Sequence, residues 1–222
     1  MFDADCLKLM FVAGSQDFYH IKGGKNDRIN ALLDTLELAL ESQITAFQFR
    51  QKGDLALQDP VEIKRLALEC QKLCKKYGVP FIVNDEAKLA LELKADGVHV
   101  GQEDMAIEEV ITLCKKHLFI GLSVNTLEQA LKAHHLDGVA YFGVGPIFPT
   151  PSKKDKQVVG VELLKKIRDS GVKKPLIAIG GITTDNASKL QKSSGIAVIS
   201  AITQAKDKAL VIETLLKIRE GF

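Results

Sequence analysis

Two apolar patterns alternate along this chain. Short, nearly continuous apolar runs occur at Leu7–Ala13, Thr45–Phe49, Pro80–Val83, Gly97–Val100, Phe119–Val124, Val139–Val144, Pro175–Ile179 and Ile196–Ser200. Such runs predict parallel strands, because a sheet covered by helices leaves few strand positions for water. Between them, apolar positions recur at helical spacing. The clearest stretch follows Asp59, a good N-cap, with Pro60 at the first helical position and Glu62 at capping-box spacing. Leu66, Cys70, Leu73, Cys74 and Tyr77 then share one helical face, and Gly78-Val-Pro80 ends it. Further helices are predicted near Arg28–Glu41, Ala87–Leu93, Ala106–Lys116, Leu127–His134, Val161–Asp169, Asp185–Lys192 and Asp207–Arg219.

Eight strand–helix units predict an α/β protein, a single (β/α)8 TIM barrel. No Pro-, Gly- or Ser-rich linker divides residues 1–222, so one domain is expected. An open doubly wound sheet is the other arrangement such units allow, with its ligand at a switch point in the strand order.

Composition narrows the function classes. An apolar fraction of 46% and a charged fraction of 26% exclude a disordered chain. With 30 cations against 28 anions, the net charge of +2 argues against a protein that works on nucleic-acid backbone. It leaves room for a small phosphorylated ligand, which needs only a few local cations. The cysteines, at 6, 70, 74 and 114, form no Cys-x-x-Cys; Cys70 and Cys74 read as small core residues on one helix. The acidic start Met1-Phe-Asp-Ala-Asp5 is unlike a secretory signal, and the apolar run Leu9–Gly14 is far short of the ~20 residues that span a bilayer. A reducing cytoplasm and no membrane partner are the expectations.

In such a barrel, chemistry belongs at the C-terminal strand ends. Asp85 follows the third predicted strand and Asp104 the fourth. Neighbouring strands lie ~4.8 Å apart, so both carboxylates can meet at one rim. A hard cation such as Mg²⁺ relieves their repulsion, drawing further oxygens from water and phosphate. Each aspartate also precedes a helix, so an N-cap role stays open for both. Arg50 and Lys52 share one side of a strand end and suit an anion, a solvated strand end being the bland alternative. Lys153 lies in the Pro146–Lys156 stretch, part of a connection of roughly 15 residues, where ~2–6 is usual. Such a loop reads as a lid carrying the hydroxyls of Thr150 and Ser152, or as a charged exposed loop.

Gly180-Gly181 ends the seventh strand and Ser200 the eighth. Glycines there let backbone N–H groups approach an anion, and this is a common phosphate position in barrels. Acid–base machinery is scarce. His99, between Val98 and Val100, reads as a packed, hydrogen-bonded histidine, while His117, His134 and His135 read as surface residues. The long stretch Ser15–Arg28 suggests no role. Two anion sites, one with a metal, and no evident base suit a reaction limited by leaving-group departure.

At these residues the chain resembles the thiamine-phosphate synthase family. The resemblance rests on Gln48-Phe-Arg-Gln-Lys52, Val83-Asn-Asp85, Ala95–Asp104, Gly121-Leu-Ser123, Gly143–Asp155, Ile179-Gly-Gly-Ile-Thr183 and Val198-Ile-Ser-Ala-Ile202. It implies a (β/α)8 barrel, a transferase of thiamine biosynthesis. The implied reaction joins 4-amino-5-hydroxymethyl-2-methylpyrimidine pyrophosphate to hydroxyethylthiazole phosphate, giving thiamine phosphate and pyrophosphate. It further implies that Asp85 and Asp104 hold Mg²⁺, and that Arg50, Lys52, Asn84 and Lys153 hold the pyrophosphate. By the same resemblance Gln48 and Ser123 would lie near the pyrimidine. Thr150, Ser152, Gly181, Ile199 and Ser200 would contact the thiazole phosphate, with Phe49, Gln51 and Pro151 in the same implied binding segments. Arg50, Lys52, Lys153 and Ser123 are the implied catalytic set. The implied partners are these small molecules, and a homodimer stays open. Gln51 stands where the family often has Glu, Ser152 where Thr is usual, and Gln191-Lys-Ser-Ser-Gly195 is two residues shorter than the common version. A thiazole tautomerase on the same barrel and a non-catalytic thiamine phosphate sensor are the rival readings.

Overall fold

A computed structural model describes residues 4–150 and 157–221. Its strands are β1 (Leu9–Ala13), β2 (Ala46–Phe49), β3 (Phe81–Asn84), β4 (Gly97–Val100), β5 (Phe119–Val124), β6 (Val139–Val144), β7 (Leu176–Ile179) and β8 (Gly195–Val198). They pair in sequence order, all parallel, and β1 pairs with β8 to close the barrel. Closure excludes the open sheet. The fold is the (β/α)8 TIM barrel. Among the described residues, no helix is long and apolar enough to cross a membrane.

The helices surround it: α1 (Lys25–Glu41), α2 (Pro60–Tyr77), α3 (Ala87–Leu93), α4 (Ile107–Cys114), α5 (Leu127–His134), α6 (Val161–Asp169), α7 (Ser200–Thr203) and α8 (Lys208–Glu220). Helix α2 starts as expected, with the Asp59 carboxylate accepting from the Val61 N–H at 2.9 Å and Pro60 in the first turn. Glu62 pairs instead with Lys25 of α1, at 2.5 Å. Gly78 ends the helix in the left-handed region, φ 69°. Cys70 and Cys74 are buried, and burial pushes both thiols up, as expected of inert core residues.

Two predicted elements differ. Asp185–Lys192 is no α-helix and holds only a 3₁₀ turn, Ala187–Lys189. The Asn186 side chain accepts from the Thr183 N–H and donates to the Gly181 carbonyl, so local side-chain bonds replace the helical ladder. The eighth strand stops at Val198, so Ser200 does not end a strand; it opens the short helix α7. The turn falls at Ile199, and the Gln204 N–H closes back onto the Ser200 carbonyl.

Strand side chains alternate between two cores. Phe11, Phe47, Phe49, Phe81 and Phe142 face outward and pack with Leu32, Leu36, Leu66 and Ile212 of the helices. Each such buried side chain contributes roughly 1.5–3 kcal/mol. Met10, Val12, Ala46, Ile82, Tyr141, Ile177 and Ala197 fill the lumen. Two arginines pin the stretch that leads into the last strand. Arg168 donates to the Val172, Lys174 and Lys192 carbonyls and to Ser194 Oγ, while Arg219 of α8 donates to Leu190, to Ser193 O and to Ser193 Oγ. The short stretch before β8 is thereby tied down at both ends.

Lumen space is set by two glycines. A Cβ on Gly121 would lie 2.2 Å from Tyr141 Cζ and 2.4 Å from His99 Nδ1, and one on Gly143 would lie 2.8 Å from His99 Cε1. Gly121→Ala is therefore expected to destabilise the protein by about 1–3 kcal/mol through overpacking, read as a lowered denaturation midpoint at unchanged slope.

Candidate active site

Strand ends bring most of the expected residues to the C-terminal mouth. Gln48 in β2 and Arg50 just beyond it line one cavity with Asn84, His99, Ser123 and Tyr141. Arg50, Asn84 and Ser123 also border a second hollow, which adds Lys52, Asp85 and Asp104. The Arg50 N–H donates to the Ala13 carbonyl at 3.0 Å, continuing the β1–β2 ladder to the residue that carries the guanidinium.

The two aspartates converge. Lys52 Nζ lies 2.8 Å from Asp85 Oδ2 and 3.4 Å from Asp104 Oδ1. Asp104 Oδ2 also accepts the Gly101 N–H at 2.8 Å. Burial raises the Asp85 carboxyl above its ordinary value, opposed by Lys52, and the neighbouring Asp104 carboxyl adds to the rise. Burial also acts upward on Asp104, but the Asp85 carboxyl, the Gly101 N–H and Lys52 outweigh it and bring Asp104 below the ordinary value. Lys52 is raised, chiefly by its bond to Asp85.

Neither aspartate serves as a cap. Helix α3 starts after Glu86 and α4 after Ala106, and neither start has a side-chain cap bond. Asp85 sits at φ 64°, a left-handed backbone that Asp tolerates better than most residues. The pair suits a hard cation: two carboxylate oxygens, already sharing one ammonium, with no third His, Cys, Asp or Glu grouped there among the described residues.

The lumen below holds a polar chain. Tyr141 Oη lies 3.0 Å from His99 Nδ1, and His99 Nε2 lies 2.9 Å from Ser123 Oγ. Gln48, 4% exposed, approaches Met10 Sδ at 3.5 Å and also bonds the phenol. His99 is thus packed and hydrogen-bonded, as expected. His117 and His135 are exposed and His134 half-buried.

Across the mouth, Pro146, Thr150, Gly180, Gly181, Ile199 and Ser200 line a third hollow. The loop after β6 joins the end of β7 here, with Ile147 and Phe148 N–H groups donating to the Ile179 and Gly180 carbonyls. Gly181 has φ 64°, and a Cβ there would lie 2.4 Å from the Pro149 carbonyl oxygen. Only glycine allows this approach.

The family assignment follows from sequence comparison. The profile of the thiamine monophosphate synthase family matches residues 18–202. A thiamine-phosphate synthase of Helicobacter pylori (strain HPAG1) is 90% identical over 97% of this chain and 99% of its own. One from Pasteurella multocida is 52% identical over 95% of each chain. A solved thiamine phosphate pyrophosphorylase from Pyrococcus furiosus superposes with a TM-score of 0.82 at 36% identity, covering 98% of each chain.

The chain belongs to the thiamine-phosphate synthase family. It is accordingly an enzyme, a transferase.

The family segments do not all point into the mouth. Phe49 is buried among the outward core, in ring contact with Phe81. Gln51 turns into the loops, its Oε1 accepting from Ser15 Oγ and the Leu57 N–H. Pro151, Ser152 and Lys153 lie outside the described residues.

Other residues support this candidate site without having stood out in the sequence. Tyr141 backs His99. Gln102 donates to the Ser123 carbonyl at 2.6 Å, and Asn125 to the Gly145 carbonyl. The stretch Ser15–Arg28 also has a role. Gln16 donates to the Arg50 carbonyl and to Asp17, whose carboxylate accepts the Gly14 N–H at 2.8 Å. The glycines Gly121 and Gly143 were the available signal for the lumen pair, whereas nothing in local spacing marks Gln16 or Asp17.

Burial raises the Asp17 carboxyl above the ordinary value, more than its bonds to Gly14 and Gln16 and the nearby Arg50 lower it. The folded state then holds this proton more tightly than the unfolded one. This contribution to stability is full below the unfolded pKa and is lost as pH rises through the raised folded value. Asp17→Asn should remove that part of the pH dependence, seen by comparing denaturation midpoints of the two proteins from about pH 3 to 6.

Proposed function

We propose that this chain condenses 4-amino-5-hydroxymethyl-2-methylpyrimidine pyrophosphate with hydroxyethylthiazole phosphate in a Mg²⁺-dependent alkyl transfer, releasing thiamine phosphate and pyrophosphate. The observation that carries this reading is the Asp85–Asp104 pair on Lys52, beside a polar lumen and opposite the Gly181–Ser200 hollow. One mouth thus offers a cation and pyrophosphate end, a ring-sized middle and a second anion end. Asp85 and Asp104 would hold the Mg²⁺. When bound, the ion supplies charge neutralisation on the departing pyrophosphate.

The chain's own groups do the rest. Arg50 offers a fork of N–H donors to phosphate oxygens, with Asn84 beside it. Lys52, whose side chain is 52% exposed, reaches a phosphate oxygen by turning its flexible stem. Lys153 adds a third cation from the loop. These donors face charge that grows as the carbon–oxygen bond breaks, so they stabilise the transition state more than the bound substrate. The step is dissociative: the electron-rich pyrimidine supports a transient methylene cation, held near Gln48 and Ser123. Thr150, Ser152, Gly181, Ile199 and Ser200 hold the thiazole phosphate so that the ring nitrogen meets that carbon. This nitrogen already has its lone pair, so no general base is needed. We place the reaction in the cytoplasm.

The carboxylate pair favours this reading over its rivals. A tautomerase moves protons and has no use for a second carboxylate on a rim lysine. A sensor needs the phosphate hollow but not the paired aspartates.

The test is a coupling assay with both substrates and Mg²⁺, an EDTA control, and thiamine phosphate read as fluorescent thiochrome. Mg²⁺-dependent product is expected, and Arg50→Ala or Lys153→Ala should lower kcat by roughly 10²–10³. Near-wild-type kcat in both variants would overturn the electrostatic assignment. Folded protein without product, but with turnover of a thiazole tautomer or ligand-dependent stabilisation insensitive to Mg²⁺, would favour a rival.

A further inference from the structure

We infer that Tyr141 and His99 are positioning residues that set the direction of the hydrogen bonds Gln48 and Ser123 offer to an aminopyrimidine. The inference rests on the function proposed above and concerns how its pyrimidine is selected.

The direction can be followed atom by atom. Met10 Sδ has no proton to give, so the end of the Gln48 amide that faces it, at 3.5 Å, is the donor Nε2. The same amide bonds the phenol of Tyr141. Tyr141 is 1% exposed, and burial pushes its hydroxyl up, beyond any working pH, with the Cys6 thiol adding to the rise. In the inferred arrangement the second Nε2 proton of that amide goes to the phenol oxygen, which leaves the Gln48 carbonyl for the cavity. The phenol thus keeps its proton and receives one from Gln48.

The phenol's own proton then points to His99 Nδ1, 3.0 Å away. A neutral imidazole that accepts at Nδ1 carries its proton on Nε2. That proton meets Ser123 Oγ at 2.9 Å. Ser123 has accepted, so its own hydroxyl proton is turned towards the cavity that all four side chains line. Gln48 correspondingly keeps its carbonyl oxygen for the same cavity.

The outcome is an acceptor from Gln48 and a donor from Ser123. An aminopyrimidine presents the complement, an exocyclic amino group that donates next to a ring nitrogen that accepts. The 4-oxo analogue presents the reverse, a carbonyl that accepts next to a ring N–H that donates. With the proton on Nδ1 instead, the chain would run the other way: Nδ1–H would donate to the phenol, Ser123 would give its proton to Nε2, and it would face the cavity as an acceptor. Gly121 and Gly143 hold the rings against reorientation, since neither leaves room for a Cβ beside them.

The test uses the full chain and two readouts. In wild-type protein labelled with ¹⁵N-histidine, the His99 signals, assigned by their loss in His99→Gln, are expected to show the proton on Nε2. In steady-state assays Tyr141→Phe should lower kcat/KM for the aminopyrimidine pyrophosphate about tenfold and narrow its preference over the 4-oxo analogue. The KM for thiazole phosphate should stay within about twofold. In a Ser123→Ala background, Tyr141→Phe should cost clearly less than it does in the wild type, because the Ser123 contact is already gone and only the Gln48 contact is left to disturb. A proton on Nδ1, equal losses towards both substrates, or additive losses in the double variant would overturn the directional chain while leaving the synthase reading intact. A wild-type chain that makes no thiamine phosphate overturns that reading, and the aminopyrimidine with it. Should Tyr141→Phe fail to fold, the wild-type tautomer and the amino/oxo preference of Ser123→Ala decide the matter.

Discussion

Everything at the mouth of this barrel rests on how its lumen is filled. Eight parallel strands send every second side chain to the centre, and that centre must be packed without voids. Most inward positions are apolar: Met10, Val12, Ala46, Ile82, Ile177 and Ala197. One sector is different, because β5 and β6 each contribute a glycine and so admit Tyr141 and His99. Polar groups buried so deeply are tolerable only when each finds a partner. Their mutual bonding therefore stabilises the barrel and shapes the floor on which a ring can lie.

A different economy rules the rim. Asp85 and Asp104 repel each other, and the protein compensates with a lysine and a backbone N–H rather than by keeping the carboxylates apart. Proximity here is costly for the fold, a cost of the kind that collects at active sites. Asp85 adds a left-handed backbone to that cost. The opposite hollow stores its constraint in Gly181, whose backbone passes so close to the loop after β6 that a side chain has no place.

The barrel was legible because period and punctuation agree along most of the chain. Three helices, Ala87–Leu93, Leu127–His134 and Val161–Asp169, have the boundaries read from the sequence. The reading failed where side chains compete with the backbone, as Asn186 does between β7 and β8, and where a strand turns directly into a helix at Ile199. At the site, Arg50, Lys52, Asp85 and Asp104 were visible because strand ends in this fold converge. Gln51 and Phe49 share the same short segment but face elsewhere, as the alternation that puts Gln48, Arg50 and Lys52 on one side requires. Tyr141, Gln16 and Asp17 act across the fold, between positions 34 to 42 residues apart in the cases of Gln16 with Arg50 and His99 with Tyr141. Local spacing carries no trace of such pairs.

The clamp of Arg168 and Arg219 on the stretch before β8 matters in time as well as in space. A chain emerges from the ribosome N-terminus first, so β1 is made long before the strand that covers its outer side. At about 5–20 residues per second, some 10–40 s separate the two. Through that interval Leu9, Met10 and Phe11, later paired with Ile196, Ala197 and Val198, present an open backbone edge. An uncovered apolar edge is a template for pairing with other chains. The stretch that leads into the last strand is held by arginines on either side of it in sequence, so the closing edge lacks one of its two ties until the C-terminal helix has been made. For this nascent polypeptide, the vulnerable period closes only when Arg219 has been translated.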